Sequence, residues 1–452
     1  METVDVAVIG MGPGGEHVAG SLAERGLRVL GIERELVGGE CPYWGCVPSK
    51  MMIRAGNALA EARRVETLGG HVAQVVPDWG PVAARIRAEA TDTWDDRVAV
   101  DRFTGKGGVF VRGSGEVISP IEVRVGDTRY AVRRAVVVAT GTTPAIPPIP
   151  GLADVGYWTN RHVVEAKELP RSIIVLGGGA IGCELSQVMA RFGVEVTLVE
   201  AAPRLLALEE PEAGAVLADV LRHEGVDVRT GVGAQQVRAD GAGVAVSLAD
   251  GSTVRAERLL VATGRRADPA AVGLTSVGVA ADTRVAPVDE RCRVAPGVWA
   301  VGDVTGKGAF THVAMYQAGI VIRDILGEDG PPASYRALPR VTFTDPEVGA
   351  VGLTEAQARE QLDRVRVGST EVASTARGWI HKPGNEGVIK VVEDAERGVL
   401  VGATAMGPSG GEVLGALAVA VHAQVPVEQL TSMIYAYPTF HRGIEDALGR
   451  LA

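Results

Sequence analysis

One local pattern occurs twice in this chain of 452 residues, and it restricts the fold more than any other feature. Its first copy spans residues 4–33 and reads as an apolar strand, a glycine turn, a helix and a second apolar strand. Such a turn lets the backbone bend sharply, and its N–H groups and the helix N-terminus attract a pyrophosphate. The copy therefore predicts a dinucleotide site. The residues assigned to this site are Gly10, Gly12, Gly15 and Glu33, the last as acceptor of ribose hydroxyls.

The second copy spans residues 172–200. In both copies an acidic residue falls 23 positions after the first glycine, so we expect two separate dinucleotide sites rather than two chance turns. A glutamate at this position accepts ribose hydroxyls and repels a 2′-phosphate, which favours NADH over NADPH. Arg204 lies close enough in sequence to weaken that preference. The residues assigned to the second site are Gly177, Gly179, Gly182 and Glu200.

Further glycine turns follow other predicted buried strands. The run from Ala135 to Gly141 ends in Ala-Thr-Gly, and the same three residues recur at 262–264. We expect each turn to close one of the two dinucleotide-binding domains. A third apolar run, 298–301, precedes Gly302-Asp303 and a helix predicted over 309–326. The residues of the Ala-Thr-Gly turns assigned to the nucleotide sites are Thr140, Gly141 and Gly264.

Cys41 and Cys46 are two of only four cysteines, and we interpret them as a working dithiol. Pro48 lacks an N–H and fits only the first turn of a helix, which predicts a helix from about residue 45 to residue 60. The positive end of that helix favours thiolate over thiol. Lys50 follows Cys46 by four residues, so its ammonium shares a helix face with the thiol and would stabilise an anionic sulfur. The alternatives are a structural disulfide or two buried thiols.

The order of these motifs resembles that of the pyridine nucleotide-disulfide oxidoreductases, the flavoprotein family of dihydrolipoamide dehydrogenase, glutathione reductase and mercuric reductase. The resemblance covers essentially the whole chain and includes residues 344–353, which resemble the start of the family's C-terminal dimerisation domain. It implies FAD in the first site, NADH or possible NADPH in the second, and a homodimer. A flavin is needed because nicotinamide donates hydride whereas a dithiol reacts through sulfur.

The resemblance also assigns roles to single residues. Cys46 would be the thiolate that faces the flavin, and Cys41 the sulfur that exchanges with substrate. Glu184 would hold the Lys50 ammonium beside the flavin, where a positive charge stabilises the reduced ring. Asp303 would hold the ribityl chain, whereas the bare motif is also compatible with a turn cap. Two further residues assigned to the FAD site are Gly302 and Ala314.

A chain of this length should divide into several domains. The predicted fold class is α/β, with two doubly wound Rossmann-like dinucleotide-binding domains and a C-terminal α+β dimerisation domain. The proline-rich run 144–151 is predicted to be a linker, and residues 77–101 are predicted to form one helix. The predicted domains are an FAD-binding domain with the dithiol at 1–150, an NAD(P)-binding domain at 151–270, a central part completing the FAD site at 271–336 and a dimerisation domain at 337–452.

The C-terminus departs from the pattern of the disulfide reductases in this family. They end in His-Pro-Thr with a glutamate five residues after the histidine, a dyad that acts as general acid and base in the other subunit's site. Here Tyr437 replaces the histidine and Arg442 the glutamate. A tyrosine of ordinary pKa, near ~10, donates a proton at neutral pH but is a poor base. Efficient turnover of lipoamide or glutathione disulfide is therefore not expected, and His441 could substitute only if the start of the following helix were rotated.

Two hypotheses about the activity stay open. The first is an NAD(P)H-dependent flavoprotein disulfide reductase acting on a substrate other than lipoamide. The second is a flavoprotein reductase or oxidase that delivers electrons to quinone, metal ion or oxygen. Mercuric reductases also replace the histidine by tyrosine, but the vicinal cysteine pair of their C-terminus is absent here. A non-enzymatic flavin-binding subunit conflicts with the intact Cys41, Cys46, Lys50 and Glu184.

Composition limits the partners. The net charge of -10, with no basic run, argues against nucleic acid and anionic membranes. Four cysteines suit a reducing cytosol, and Met1 leads almost directly into the first strand, so we expect a cytoplasmic protein with no signal peptide or membrane span. Cys183 and Cys292 have no partner at a motif spacing and are expected to be core residues. No metal site is predicted.

Overall fold

The computed structural model describes residues 1–452 as a mixed α/β structure. None of its helices combines the length and the apolar character needed to cross a lipid bilayer. The helices are α1 (Pro13–Glu24), α2 (Glu40–Tyr43), α3 (Cys46–Leu68), α4 (Gly80–Arg85), α5 (Arg97–Gly105), α6 (Asn160–Glu165), α7 (Ala180–Arg191), α8 (Pro211–His223), α9 (Thr311–Leu326), α10 (Glu355–Gln361), α11 (Ala376–His381), α12 (Gly410–Ala423), α13 (Val427–Ser432) and α14 (Gly443–Leu448). The strands are β1 (Glu2–Ile9), β2 (Val29–Glu33), β3 (Val109–Arg112), β4 (Gly115–Ser119), β5 (Glu122–Val125), β6 (Thr128–Val138), β7 (Thr143–Pro144), β8 (Ser172–Leu176), β9 (Glu195–Glu200), β10 (Asp227–Thr230), β11 (Ala234–Asp240), β12 (Gly243–Leu248), β13 (Thr253–Ala256), β14 (Arg258–Val261), β15 (Arg265–Arg266), β16 (Arg293–Ala295), β17 (Val298–Ala300), β18 (Pro339–Thr342), β19 (Glu347–Gly352), β20 (Val365–Glu371), β21 (Val388–Asp394) and β22 (Val399–Gly407).

The chain divides into two compact units, each assembled from segments that are distant in sequence. The segment predicted to complete the first nucleotide site belongs to the same unit as the N-terminal residues. The first unit comprises residues 1–48, 84–145 and 265–334, and the second comprises residues 49–83, 146–264 and 335–452.

The main sheet of the first unit has the strand order β16-β17-β6-β1-β2-β3. β1 pairs in parallel with β2 on one side and with β6 on the other, so the chain order reverses beside β1. Ligands of doubly wound sheets bind at such a reversal, outside the carboxyl ends of the strands. β1 is apolar and almost completely buried from Val6 to Ile9, and the glycine turn that follows it therefore lies at this position.

The second unit contains a parallel sheet of order β10-β9-β8-β14, in which the order reverses beside β8. A small antiparallel sheet, β11-β12-β13, follows in the chain between β10 and β14. The C-terminal part of this unit forms an antiparallel sheet of order β18-β19-β22-β21-β20. Its core brings together buried side chains of β21, α12 and α14, among them Val391, Leu414 and Ile444.

The structure confirms the fold class but corrects one predicted helix. Residues 77–101 do not form a single helix, because α4 ends at Arg85, a π-helical turn covers residues 86–90, and α5 starts at Arg97. The residues between them, Asp92–Trp94, all have positive φ. The Thr91 hydroxyl donates to the Ile86 carbonyl at 3.1 Å. Short polar and β-branched side chains in this run compete for backbone hydrogen bonds and break the helix.

The helix predicted from Pro48 is confirmed and is longer than expected. α3 begins at Cys46, places Pro48 in its first turn and continues to Leu68, well beyond residue 60. No glycine or proline interrupts the stretch from Asn57 to Leu68, and Gly69 follows the last helical residue. Helix formers without a breaker allow propagation up to that glycine.

Candidate dinucleotide and dithiol sites

The first glycine turn has one glycine that faces open space and two that nothing larger could replace. Gly10 has φ +95, and a Cβ there would lie 2.4 Å from the Ala139 carbonyl oxygen. A Cβ on Gly15 would lie 2.0 Å from the Gly10 carbonyl oxygen. A Cβ on Gly12 would meet nothing within 4 Å. The turn is therefore tightly packed against the sheet and open on the side of Gly12, as a pyrophosphate requires.

The second glycine turn repeats this arrangement. Gly177 has φ +108, and its Cβ would lie 2.4 Å from the Ala262 carbonyl oxygen. A Cβ on Gly182 would lie 1.8 Å from the Gly177 carbonyl oxygen, whereas a Cβ on Gly179 would meet nothing within 4 Å. Two such cradles in one chain fit two dinucleotides.

The acids at the ends of β2 and β9 occupy equivalent positions. Glu33 accepts hydrogen bonds from the backbone N–H groups of Met11 at 2.8 Å and Glu35 at 2.9 Å. Glu200 accepts from the N–H groups of Gly178 at 2.5 Å and Ala202 at 2.6 Å. Each carboxylate is thus fixed beside its glycine turn. The remaining lone pairs of each carboxylate can accept hydrogen bonds from ribose hydroxyls.

Arg204, the residue that complicates the choice between NADH and NADPH, is engaged by its own loop. Its Nη2 donates to the carbonyl oxygens of Ala207 at 2.9 Å and Glu209 at 3.0 Å. Its Nε is buried without a hydrogen-bond partner. The guanidinium is therefore held by loop carbonyls.

The turn at Gly302-Asp303 is fixed from α9. The Gly302 N–H donates to the Gln317 side-chain oxygen at 2.7 Å, and Gln317 is fully buried. A Cβ added to Gly302 would lie 3.4 Å from the Ala314 Cβ, and one added to Gly14 would lie 3.1 Å from it. Ala314 thus packs between this turn and the start of α1, where a larger side chain would collide. Burial raises the pKa of Asp303.

Sequence reasoning missed two residues beside Asp303. The Thr142 hydroxyl donates to Asp303 Oδ2 at 2.9 Å. Arg265 donates from Nε to the Thr142 hydroxyl at 2.8 Å and from Nη2 to the Thr142 carbonyl at 2.7 Å. Arg265 Nη1 also lies 3.6 Å from a Glu40 carboxylate oxygen. The available signal was positional, since Thr142 and Arg265 directly follow the glycines of the two Ala-Thr-Gly turns.

The two cysteines of the motif lie on successive helices. Cys41 is in α2 and Cys46 is the first residue of α3, and both are free thiols. The hydrogen bond to Cys46, and then burial, raise the pKa of the Cys41 thiol. The two thiols are therefore within hydrogen-bonding reach of each other. Thr311 Oγ1, which the sequence did not indicate, lies 3.4 Å from Cys46 Sγ. The other two cysteines, Cys183 and Cys292, are fully buried core residues, as predicted.

Lys50 and Glu184 form the predicted ion pair. Lys50 Nζ lies 3.0 Å from Glu184 Oε2, and the Glu184 side chain is only 7% exposed. Phe343, another residue missed from the sequence, contacts both partners. Its backbone N–H donates to Glu184 Oε1 at 2.8 Å, and Lys50 Nζ lies 4.6 Å from the centre of its ring. The ammonium is therefore fixed by a carboxylate and an aromatic face at once.

The C-terminal residues separate into two groups. Tyr437 is 69% exposed, and the Arg442 guanidinium lies 5.4 Å from its ring centre. Arg442 also pairs with Glu445 at 3.0 Å. The His441 ring instead packs against the buried Tyr435 ring, with centres 6.0 Å apart. The arrangement places a guanidinium, and no histidine, against the exposed tyrosine.

Comparison with known proteins gives matches along nearly the whole chain. Residues 4–318 match the family described as pyridine nucleotide-disulphide oxidoreductase, and residues 338–448 match its dimerisation domain. The dihydrolipoyl dehydrogenase of Chlorobaculum tepidum is 34% identical over 456 residues, covering 98% of this chain and 96% of that protein. The mercuric reductase of Streptomyces lividans is 32% identical over 455 residues, covering 98% and 94%. The Cu(II) complex of the HOCl-induced flavoprotein disulfide reductase RclA from Escherichia coli has a TM-score of 0.86 at 26% identity and 99% coverage of both chains.

The family and the enzyme class predicted from the motifs are thereby confirmed. Members of this family depend on FAD and use pyridine nucleotides. The two glycine cradles described above fit these two cofactors. The chain belongs to the class I pyridine nucleotide-disulphide oxidoreductase family and is an NAD(P)H-dependent flavoprotein disulphide oxidoreductase.

Proposed function

We propose that the chain is an FAD-dependent NADH oxidoreductase that passes an electron pair through a Cys41–Cys46 disulfide to an acceptor other than lipoamide. The observation that carries this proposal is the pair of thiols within hydrogen-bonding reach: Cys41 in α2 and Cys46, the first residue of α3. A pair of inert core thiols would not leave Cys46 exposed.

FAD is assigned to the first unit and NADH to the second. In the first unit the open side of Gly12 would take the pyrophosphate, Glu33 the adenosine ribose and Asp303 the ribityl hydroxyls. Asp303 suits this role because its carboxyl group is buried, which raises its pKa, and because it already accepts a hydrogen bond from the Thr142 hydroxyl. In the second unit Gly179 and Glu200 have the equivalent roles. NADH is preferred because Glu200 would repel a 2′-phosphate while Arg204 is engaged by loop carbonyls.

The dithiol supplies the sulfur half of the reaction. FAD bound here would accept hydride from the nicotinamide and deliver an electron pair to the disulfide. Reduction breaks the Cys41–Cys46 bond and leaves one thiol and one thiolate. When Cys41 attacks a substrate disulfide, a mixed disulfide forms and one substrate thiolate leaves. The Cys46 thiolate then attacks the Cys41 sulfur and displaces the substrate sulfur from it, which re-forms the internal disulfide and releases the second substrate thiolate.

The acceptor is restricted by the groups that move protons. The hydrogen bond to Cys46 and burial raise the pKa of the Cys41 thiol, which favours its protonated form. Its attack on a disulfide therefore needs a base. Tyr437 can donate a proton at neutral pH but accepts one poorly, and the neighbouring Arg442 cannot accept one at all. We therefore expect slow turnover of lipoamide and glutathione disulfide.

Acceptors whose reduction needs no proton from this position should react faster. Quinones and thiophilic metal ions do not depend on attack by Cys41 on a disulfide. Aryl disulfides release thiolates that need no protonation, so we expect them to be the fastest of the disulfides. The metal-ion alternative is favoured by the tyrosine that this chain shares with mercuric reductases at the position of the histidine, and mercuric reductases are among its relatives. A metal ion is the second candidate acceptor, after a disulfide.

A homodimer is part of the proposal. The dimerisation domain exposes several apolar side chains near its C-terminus, with Ile434 at 97% and Met433 at 45% exposure beside Tyr437. Exposed apolar side chains grouped in this way are typical of an interface between subunits. Light scattering should give twice the chain mass, and a fully active monomer would contradict this part of the proposal.

The test is anaerobic reduction of a panel of acceptors by NADH. The panel contains lipoamide, glutathione disulfide, a nitroaryl disulfide, a soluble quinone and mercuric ion. Cys41→Ser and Cys46→Ser should abolish disulfide reduction, whereas Cys292→Ala, which removes a buried thiol of the same unit, should not. Rapid lipoamide turnover by the native protein would contradict the assignment of Tyr437, and its loss in His441→Ala would then identify His441 as the base.

A further inference from the structure

The loop that follows Glu200 is attached to the second glycine turn. Residues 201–210 have no regular secondary structure. The Leu206 N–H donates to the Gly178 carbonyl at 2.8 Å, and Gly178 itself donates to Glu200 at 2.5 Å. Leu205 and Leu206 are buried. The position of this loop therefore depends on the glycine turn and on Glu200, both of which are assigned to the nucleotide site.

Arg204, within this loop, has a guanidinium group that could bind a 2′-phosphate and so reverse the preference for NADH over NADPH. An arginine near the ribose is what accommodates a 2′-phosphate in proteins of this architecture. Here Arg204 Nη2 is bound by the Ala207 and Glu209 carbonyl oxygens, and its Nε is buried without a partner. A buried donor without a partner is costly. The Arg204 guanidinium therefore stays bound to these two carbonyls only while the loop keeps its conformation.

Arg340, in the C-terminal strand β18, holds that form. Its Nε and Nη2 donate to the two Glu209 carboxylate oxygens, both at 2.9 Å. The Glu209 and Arg340 side chains are 12% and 23% exposed. A fork of this kind fixes orientation as well as distance. Glu209 thus contacts both arginines. Its backbone carbonyl accepts from Arg204, and its carboxylate accepts from Arg340.

A second anchor lies one residue further along. Lys390 Nζ donates to Glu210 at 2.9 Å, and both side chains are almost completely buried. Glu210 also accepts from the Glu355 N–H at 2.6 Å. The end of the loop is therefore attached to the C-terminal sheet and to α10.

We infer that Arg340 is a specificity-determining residue for the pyridine nucleotide: by fixing Glu209 it keeps the Arg204 guanidinium bound within its loop and away from a 2′-phosphate. The inference rests on the proposed preference for NADH. Arg340 belongs to the C-terminal sheet and lies outside the glycine turn and the acid assigned to the nucleotide, so its effect would be indirect. Without the Arg340–Glu209 ion pair, Glu209 would be free to move, and its carbonyl would no longer hold the Arg204 guanidinium.

The test compares the affinity for 2′-phospho-AMP with that for AMP by calorimetry on the FAD-loaded protein. Arg340→Met should strengthen binding of 2′-phospho-AMP about twofold to fivefold, the effect of one partly exposed ion pair, and should leave AMP binding unchanged. The gain should vanish in Arg340→Met combined with Arg204→Met. Glu209→Gln weakens the same fork with a smaller change of structure and should give a gain of the same sign.

The matched control is Arg366→Met, which removes an equivalent bidentate pair with Glu393 elsewhere in the C-terminal sheet. It should change neither affinity. No gain in Arg340→Met or Glu209→Gln, or a gain that survives loss of Arg204, would overturn the inference. If Arg340→Met binds no AMP, Glu209→Gln decides alone. Preference of the native protein for 2′-phospho-AMP would overturn the NADH proposal itself, a result distinct from any behaviour of the variants.

Discussion

The ion pair between Lys50 and Glu184 gives the sharpest functional prediction. Glu184→Gln removes the negative charge but keeps the shape and an oxygen that can still accept from the Phe343 N–H. Since Lys50 is proposed to stabilise the negative charge of the reduced flavin, the variant should bind NADH normally and reduce FAD more slowly.

The magnitude follows from the contact. Two unit charges 3.0 Å apart attract by about 5 kcal/mol at an effective dielectric constant near ~20. The Lys50 side chain is 36% exposed, so water screens part of this attraction, and the glutamine amide replaces part of the hydrogen bond. The roughly 1.5–3 kcal/mol of a hydrogen bond to a charged group is therefore an upper limit for the rise in the activation barrier when Lys50 is no longer held in place, which corresponds to a rate at most about 10-fold to 100-fold lower.

The assay is anaerobic stopped-flow reduction of the flavin absorbance by NADH. The rate constant should fall while the apparent NADH dissociation constant stays the same. Glu212→Gln is the matched control, because Glu212 also pairs with a lysine, Lys390, at 2.8 Å. A Glu184→Gln rate within about twofold of the native rate, or an equal fall in Glu212→Gln, would refute the role given to Glu184.

Three further predictions follow from individual contacts. Gly12→Ala should fold, since its Cβ would meet nothing within 4 Å, but should purify without FAD absorbance because the methyl group fills the pyrophosphate space. Phe343→Leu keeps the N–H and loses the ring beside Lys50, so flavin reduction should slow about twofold to fivefold, as measured by stopped flow. Lys390→Met should lower the free energy of unfolding in urea by about 3–5 kcal/mol. The Lys390 hydrogen bond lowers the pKa of Glu355 in the folded protein. This stabilisation is therefore complete above the unfolded-state pKa of a glutamate, ~4.3, and is lost as the pH falls through the lower folded-state pKa. On acidification below about pH 5 the native protein should lose more stability than Lys390→Met.

The parts of the fold that were predictable are encoded locally. The spacing of Gly10, Gly15 and Glu33 is dictated by one β-α-β unit, and a Cβ on Gly15 would collide with the Gly10 carbonyl oxygen of the same turn. Pro48 likewise fixed the start of α3 through its missing N–H. Such features need no information about distant residues.

The parts that were missed are contacts between residues far apart in the chain. Phe343 and Glu184 are separated by 159 positions, and Arg340 and Glu209 by 131. Neither phenylalanine nor arginine has a local pattern that indicates such a partner. The broken helix near Thr91 was missed for another reason, because apolar periodicity on both sides concealed a short polar break.

The central claim is that electrons pass through the pair Cys41 and Cys46, and counting electrons tests it most directly. Native protein and the Cys41→Ser and Cys46→Ser variants should be titrated anaerobically with dithionite while the flavin absorbance is followed. The native protein should take up one more electron pair per chain than either variant, since only it can form the disulfide. Equal uptake by all three would contradict the claim.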